Sequence, residues 1–407
     1  MAHVEDRWWK SVKDPESKKT TRVKTDLHGK GMRYRVRFLD PNGDERSRSF
    51  PDRCKRQADD FLIEVESTKR EGKYVDPRAG QIKFRKQAES WIKGQSSDAA
   101  TRVILHSRLD SQIYPVFGDL SVSAVKPSTV RDWLGRLDDL KLSENYKAVL
   151  FTVLSSVLDS AVEDKLITVN PCKTKSIKKP IGVSPEIVVW PTERLSKVRG
   201  GLAPRFKIIC PLGGGCGLRQ GEILGVSPDD VDRAAQLLHV RRQIRTVRGT
   251  LVFAPPKGGK IRRVPLSSSV LGDIDRHEQD FPAVEITLPW REPGGEPVTV
   301  RLLVAGEGGR LYSGDLFHKV VWLGGFREAG LEYRKRADGM HALRHFFASL
   351  LLSQGVSIKE LAEYLGHSDP GFTLRTYTHL MPSSFERARL AVDGVFGLWA
   401  TDGLEAA

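Results

Sequence analysis

The stretch His341-Ala342-Leu343-Arg344-His345, followed by Leu365-Gly366-His367 and then by Tyr377, decides how this chain is read. Leu343, Phe346, Phe347, Leu350 and Leu351 recur at helical spacing, so the first segment opens an amphipathic helix. Positions three apart share a helix face, which projects His341 and Arg344 together. Gly355 stops that helix, Ser357 caps another over 358–365, and Gly366 ends it in turn. Asp369-Pro370 signals a third helix, with Tyr377 about two turns into it. Short helices joined by tight turns therefore carry Arg344, His367 and Tyr377 towards one place. His341 and His345 also have the spacing of a zinc pair, yet Ala342 stands where a metalloprotease helix needs its glutamate. A metal-free role is expected of this segment.

Upstream, the glycine-rich stretches fail as nucleotide sites. Gly213-Gly214-Gly215 lacks the spacing of a dinucleotide loop, and Gly258-Gly259-Lys260 is followed by Ile261 rather than by Ser or Thr. No ATP site is expected. Strand-like runs cover 238–247, 251–254 and 262–266, and Gly258-Gly259 suits a tight hairpin turn between the last two. A further hairpin is expected over 285–304, turning at Pro293-Gly294-Gly295.

At the other end, Arg33-Tyr34-Arg35-Val36-Arg37-Phe38 alternates strictly, which puts Arg33, Arg35 and Arg37 on one strand face and three apolar residues on the other. Pro41-Asn42-Gly43-Asp44 is turn chemistry, and residues 46–50 read as the returning strand. A helix follows through Ala58, Phe61, Leu62 and Val65, and a third strand is expected near 21–26. The arginine face fits either a solvated surface or a DNA major groove. Residues 74–80 break the pattern as a linker, and 84–171 is helical, with apolar positions recurring every three to four residues from Ala148 to Val162. Asn170-Pro171 ends that unit. The basic stretch after it, with Lys175, Lys178 and Lys179, suits a connector crossing a phosphate backbone and equally an ordinary exposed linker.

The chain has 407 residues, too many for one compact core, and a formal charge of +14 from 65 Lys and Arg against 51 Asp and Glu. That surplus points to a polyanion, either nucleic acid or an acidic membrane face. A hydrophobic fraction of 39% excludes wholesale disorder. No run reaches the roughly 18 apolar residues of a membrane span, and the opening MAHVEDRWWK has no apolar signal segment. A soluble, cytoplasmic protein is expected. Cys54, Cys172, Cys210 and Cys216 lie far apart with no Cys-x-x-Cys pair, so neither a disulfide framework nor a structural zinc site is expected.

Taken in order, His341-x-x-Arg344, Leu365-Gly366-His367 and Tyr377 resemble the signature of the tyrosine recombinases, the phage integrase family. Gly217-Leu218-Arg219-Gln220-Gly221-Glu222-Ile223 is similar to that family's first arginine motif. The stretch from Pro256 to Leu266, with Lys257 ahead of the glycine turn, is similar to its hairpin lysine. The resemblance covers essentially the whole chain. It implies a multi-domain α+β fold. Residues 1–75 would be an arm-type DNA-binding domain, a small three-stranded sheet plus a helix. Residues 80–172 would be an all-α core-binding (SAM-like) domain, and 173–186 a basic linker. Residues 187–407 would be a mainly α catalytic domain with a small antiparallel sheet and a C-terminal tail.

The resemblance also implies roles. Arg219 and Arg344 would hold a DNA phosphate, each guanidinium gripping oxygens in a fixed fork. Tyr377 would attack phosphorus. A phenol of pKa about 10 is roughly one part in a thousand ionised at neutral pH, so a base or a positive field must help it. His341 is the expected base, and Lys257 the expected acid for the leaving 5′ oxygen, with Lys260 its rival. His367 would hydrogen-bond a nonbridging oxygen. Glu222 would buttress the site, or else form a surface ion pair. Exchange of one phosphoester for another implies no cofactor, no ATP and no metal. Implied partners are double-stranded DNA at core and arm sites, other copies in a homotetramer, and a DNA-bending accessory protein; no membrane is implied. The apolar tail, 385–399, would dock on a neighbouring copy or pack on its own domain. Two other readings stay open: a type IB topoisomerase relaxing one duplex, and a non-enzymatic DNA-binding regulator.

Overall fold

The computed structural model describes residues 2–377, apart from 14–19, 42, 73, 77, 97 and 184–186, together with 389–390 and 392–393. The chain divides into two compact units, Met1–Ser97 with Ile104–Ser184 and Asp98–Val103 with Pro185–Ala407.

In the first unit, alternation along β4 (Tyr34–Leu39) buries Tyr34, Val36 and Phe38. Strands β1 (His3–Asp6) and β5 (Glu45–Phe50) flank it in an antiparallel sheet of order β1-β4-β5. The helix Lys55–Arg70 covers this sheet through Ala58 and Val65. The strand expected near 21–26 forms at β3 (Thr20–Lys24), but it pairs with β2 (Trp9–Lys13) rather than joining the sheet. Every β3 residue is exposed, so the ribbon has no apolar face to bury there. A second cluster in this unit is built on the helix Glu144–Glu163, which Ser143 caps by accepting from the Tyr146 amide. Leu150, Leu154, Val157, Leu158 and Ala161 form its buried stripe, against Phe84, Phe117 and Trp133. The basic stretch after Cys172 lies on the same unit: Ile177 packs on that cluster, and Asn145 Nδ2 donates to the Val183 carbonyl at 2.9 Å.

Among the described residues the second unit holds three small antiparallel sheets, β10-β7-β6, β8-β9 and β11-β12, the last being the hairpin expected over 285–304. These strands are β6 (Val231–Asp232), β7 (Leu237–Val240), β8 (Gln243–Val247), β9 (Thr250–Ala254), β10 (Arg262–Pro265), β11 (Val284–Pro289) and β12 (Pro297–Leu302). The run read over 238–247 breaks at Arg241-Arg242, where Arg242 turns in to Asp230 at 2.6 Å. Gly258-Gly259 does form a tight turn, with the Gly259 amide donating to the Pro256 carbonyl at 2.8 Å. It does not close a hairpin, because β9 pairs with β8 and β10 with β7. The turn carries the chain from one sheet to another, while Arg248-Gly249, both at positive φ, closes the β8-β9 hairpin.

Two features place the helix His341–Ser353. Asp338 is fully buried and accepts from Trp190 Nε1 at 3.0 Å, Arg194 at 2.7 Å and Arg334 at 3.1 Å. Its carbonyl also takes Trp322 Nε1 at 2.8 Å, so the chain is pinned three residues before His341. The glycine stretch then explains itself as packing. A Cβ on Gly213 would meet Leu343 at 2.6 Å, and one on Gly217, whose φ is +65°, would meet Phe347 at 2.5 Å. Among the described residues, no helix is long and apolar enough to cross a membrane.

Candidate active site

Arg219 is the N-cap of the short helix Gln220–Leu224, and Glu222 holds it there. The Glu222 carboxylate accepts from the Arg219 amide at 2.9 Å and from its guanidinium at 3.0 Å. The same carboxylate takes two N–H groups of Arg262 on β10, at 2.9 and 2.7 Å, and Arg262 Nε donates to the Tyr364 carbonyl at 2.7 Å. Glu222 and Arg262 are both buried. Burial pushes the Glu222 carboxyl up, but the hydrogen bonds and charge of Arg262, then Arg219, outweigh it and bring it down to about 2. Glu222 is thus a buried bridge between two arginines and not a surface ion pair.

Arg344, in the first turns of His341–Ser353, is 1% exposed. It donates to the Gly217 carbonyl at 2.7 Å, the Leu365 carbonyl at 2.5 Å and His367 Nε2 at 3.0 Å. It makes no ion pair among the described residues. Burial and then the charge of Arg219 push its pKa down to about 9, which still leaves it a cation at neutral pH. The Glu222 charge partly offsets this from outside ion-pair reach, and a buried cation with no carboxylate in contact among the described residues is disposed to take an anion.

Arg344 has only protons to give, so His367 Nε2 must be an acceptor and its proton sits on Nδ1, which donates to Thr373 Oγ1 at 2.7 Å. Desolvation, Arg344 and Arg219 push His367 down to about 4, which agrees with a neutral ring. The family resemblance implies a hydrogen bond from His367 to a phosphate oxygen. Here that nitrogen is occupied by Arg344, whose orientation it helps to fix.

Tyr377, the last described residue of Pro370–Tyr377, is 1% exposed. Its hydroxyl is 3.0 Å from His345 Nδ1. The residue expected in that place, His341, stands one turn earlier, exposed, with its ring meeting His345 edge-on at 4.7 Å. Burial raises the Tyr377 pKa, while Arg344 and Arg219 pull it back. Lys257 is exposed in the turn before β10, and its charge is one of those that, after desolvation, Arg344, Arg219 and His367, press His341 down to about 4. Arg219, Lys257, His341, Arg344, His367 and Tyr377 therefore all belong to one electrostatic neighbourhood.

The phage integrase family model matches residues 201–383, a span that contains every one of these groups. The chain is 28% identical over 300 residues to the tyrosine recombinase XerC-like protein of Caldanaerobacter subterraneus, covering 68% of this chain and 73% of that one. It is 26% identical over 318 residues to the integrase of Mycobacterium phage L5, covering 77% and 80%. Over residues 201–383, which hold the whole candidate site, this chain matches the phage integrase family of tyrosine recombinases. It is a site-specific DNA recombinase, an enzyme of DNA strand transfer. In fold, this recombinase is similar to the Tn1549 transposon integrase solved with a circular intermediate DNA, at a TM-score of 0.60 and 19% identity over 77% of this chain and all of that one. It is also similar to the lambda integrase tetramer bound to a Holliday junction, at 0.52 and 15% over 82% and 93%.

Two residues of this recombinase's site are not singled out by the sequence motifs. Arg262 shares an inward strand face with Val264, and that alternation is the available signal. His345 stands out in the sequence only beside His341, at the spacing of a metal pair.

The other expected DNA contacts lie in the first unit. Arg33 pairs with Asp6 and Asp52, each at 3.0 Å, and Arg37 with Glu45 at 2.6 Å, while Arg35 lies opposite Glu5 across the strands. The arginine face is therefore interleaved with acids. Lys175, Lys178 and Lys179 are exposed. The tail over 385–399 lies outside the described residues except at 389–390 and 392–393.

Proposed function

We propose that this recombinase cuts and rejoins DNA through a 3′-phosphotyrosyl link made by Tyr377, leaving a free 5′ hydroxyl. Arg219 and Arg344 grip the nonbridging oxygens and stabilise the charge that grows at phosphorus; in a water-poor site such preorganised donors contribute several kcal/mol, on the order of 3 for each. Lys257, exposed beside a glycine turn, gives its proton to the departing 5′ oxygen, worth roughly 100- to 10,000-fold in rate. His341 takes the phenolic proton as the oxygen leaves His345 for phosphorus. His367 orients Arg344, and Glu222 orients Arg219. Because one phosphoester replaces another, rejoining needs neither a nucleoside triphosphate nor a metal ion.

The observation that carries this reading is the pairing of a buried Arg344, in no ion pair among the described residues, with a buried Tyr377 whose pKa burial raises and Arg344 and Arg219 pull part of the way back. Nucleophile and arginines belong to the same unit of one chain, which supports cleavage in cis. The DNA partner would have core and arm sites, with residues 1–75 on the arm, 80–172 with the basic stretch 173–186 on the core, and catalysis in 187–407. Strand exchange would take place in a homotetramer in the bacterial cytoplasm, with a DNA-bending protein assisting.

The test uses a half-site whose 5′ fragment is lost on cleavage, taken from junctions mapped by sequencing products formed with the gene's flanking DNA. The wild-type chain should remain covalently on the DNA and Tyr377→Phe should not. An undiminished adduct in that variant would overturn the assignment of the nucleophile.

A further inference from the structure

The helix that carries Tyr377 is lightly held. Phe372 and Leu374 are about half exposed, at 50% and 46%, and only Thr373 and Tyr377 are buried. These two lie four apart, on one face and one turn from each other. Among the described residues each makes one side-chain hydrogen bond, and each bond goes to a histidine. Thr373 Oγ1 accepts from His367 Nδ1 at 2.7 Å, and the Tyr377 hydroxyl meets His345 Nδ1 at 3.0 Å. The two histidines stand on separate elements, His345 on His341–Ser353 and His367 just past Ile358–Leu365. The nucleophile's helix is therefore clamped at two points, one turn apart.

His367 already serves Arg344. His345 has no comparable duty, since its described polar partner is the Tyr377 hydroxyl, with His341 against its ring edge. We infer that His345 is a positioning residue for the nucleophile, its neutral Nδ1 accepting the phenolic hydrogen so that Tyr377 is seated in cis before DNA arrives. This rests on Tyr377 being the nucleophile. The chemistry supports an acceptor role: desolvation, His341 and Arg344 press His345 down to about 4, so at neutral pH the ring is uncharged and offers a lone pair. The phenol is nearly solvent-free, so without that acceptor its O–H has no water to turn to, and of the two described hydrogen bonds to histidines the helix keeps the one at Thr373.

The experiment compares His345→Ala, His345→Phe and His345→Asn in the full chain, by single-turnover adduct formation at saturating half-site DNA. Phenylalanine keeps the ring's shape without an acceptor, whereas asparagine keeps an acceptor near the position of Nδ1 without the ring. Alanine and phenylalanine should both slow adduct formation roughly 10- to 100-fold, the cost of a misplaced reacting group, and asparagine should recover most of it. DNA affinity by gel shift should stay within about twofold throughout. A half-site with a 5′-bridging sulfur, whose leaving group needs no acid, should rescue Lys257→Ala and leave the His345→Phe defect in place. That combination puts the lesion on the nucleophile's side. A phenylalanine variant as fast as wild type, or an asparagine variant as slow as alanine, would overturn the inference while leaving the nucleophile assigned. If the unaltered chain forms no adduct, the parent reading fails and takes this one with it.

Discussion

Two histidines around Arg344, His345 and His367, are kept neutral by partial burial and by neighbouring charge, and this has a measurable consequence for stability. His345 and His367 are each pressed down to about 4 from an ordinary 6.5. An unfolded chain takes up protons at these positions as pH falls through 6.5, but the folded chain resists until about 4. Stability from this source is complete above 6.5 and is lost on descending from 6.5 to 4. Glu222 behaves in the opposite chemical sense but with the same direction of loss: its folded value of about 2 against 4.5 makes its contribution disappear below 4.5. Urea midpoints should therefore fall as pH is lowered from 7 to 5, in a window where the Glu222 carboxylate still holds its charge. A flat profile there, or a rise, would mean that these rings are protonated in the folded chain. The residues most legible in the sequence are those whose spacing fixes a shared helix face, His341 with Arg344, and those placed by helix stops, His367 and Tyr377. The partner of the tyrosine hydroxyl is not legible. Spacing shows that His341 and His345 lie on one side of a helix, but not which turn a later helix will meet.

Elements, rather than single side chains, decide whether Arg219 and Arg344 can share a phosphate. The strand–turn–strand text around Gly258-Gly259 reads locally as a hairpin, and its turn is present, yet its strands belong to different sheets. Turn chemistry specifies the local backbone, whereas pairing depends on which edge is free, and that is a property of the whole unit. The glycines at 213–217 show the reverse: discarded as a nucleotide loop, they are where a helix lies close against the backbone that feeds Arg219. Gly217 carries two demands at once. Its φ of +65° disfavours any side chain, a Cβ would press on Phe347 at 2.5 Å, and its carbonyl anchors Arg344 at 2.7 Å. Gly217→Ala should cost about 1–3 kcal/mol from strain and overpacking. Chemical denaturation should show a lowered midpoint with an unchanged slope, and adduct formation should fall by more than the unfolded fraction explains, because the Arg344 anchor shifts. Full activity with wild-type stability would show that the backbone there relaxes freely.

For the molecule as a whole, the +14 charge is the property that composition gives most directly, and its placement is what composition conceals. Arg33, Arg35 and Arg37, the most DNA-like pattern in the sequence, face Asp6, Glu5 and Glu45 in turn, so much of their charge is already answered. The ribbon β2-β3 offers Lys10, Lys13 and Lys24 on exposed strands, while its Arg22 pairs with Asp6 at 2.9 Å. Within its unit the N-terminal sheet keeps its own apolar cluster, Tyr34, Val36, Phe38, Phe50, Ala58, Val65 and Tyr74, distinct from that of the helices that follow. A chain lacking residues 1–75 therefore sacrifices that cluster and leaves the helical one whole. It should still form the Tyr377 adduct on a core half-site at a rate within about threefold of wild type, since no proposed catalytic group is removed. Its affinity for a longer DNA carrying a distant arm site should fall to that for the core alone. For every phosphate that the shortened chain no longer neutralises, the slope of log affinity against log salt should also shrink by about 0.9. Titrating both DNAs over a range of salt, with a thermal melt confirming that the shortened chain is folded, separates the outcomes. An unchanged slope would place the arm-binding surface outside the first 75 residues, and a folded chain unable to cleave the core site would mean that the N-terminal sheet belongs to the catalytic assembly itself.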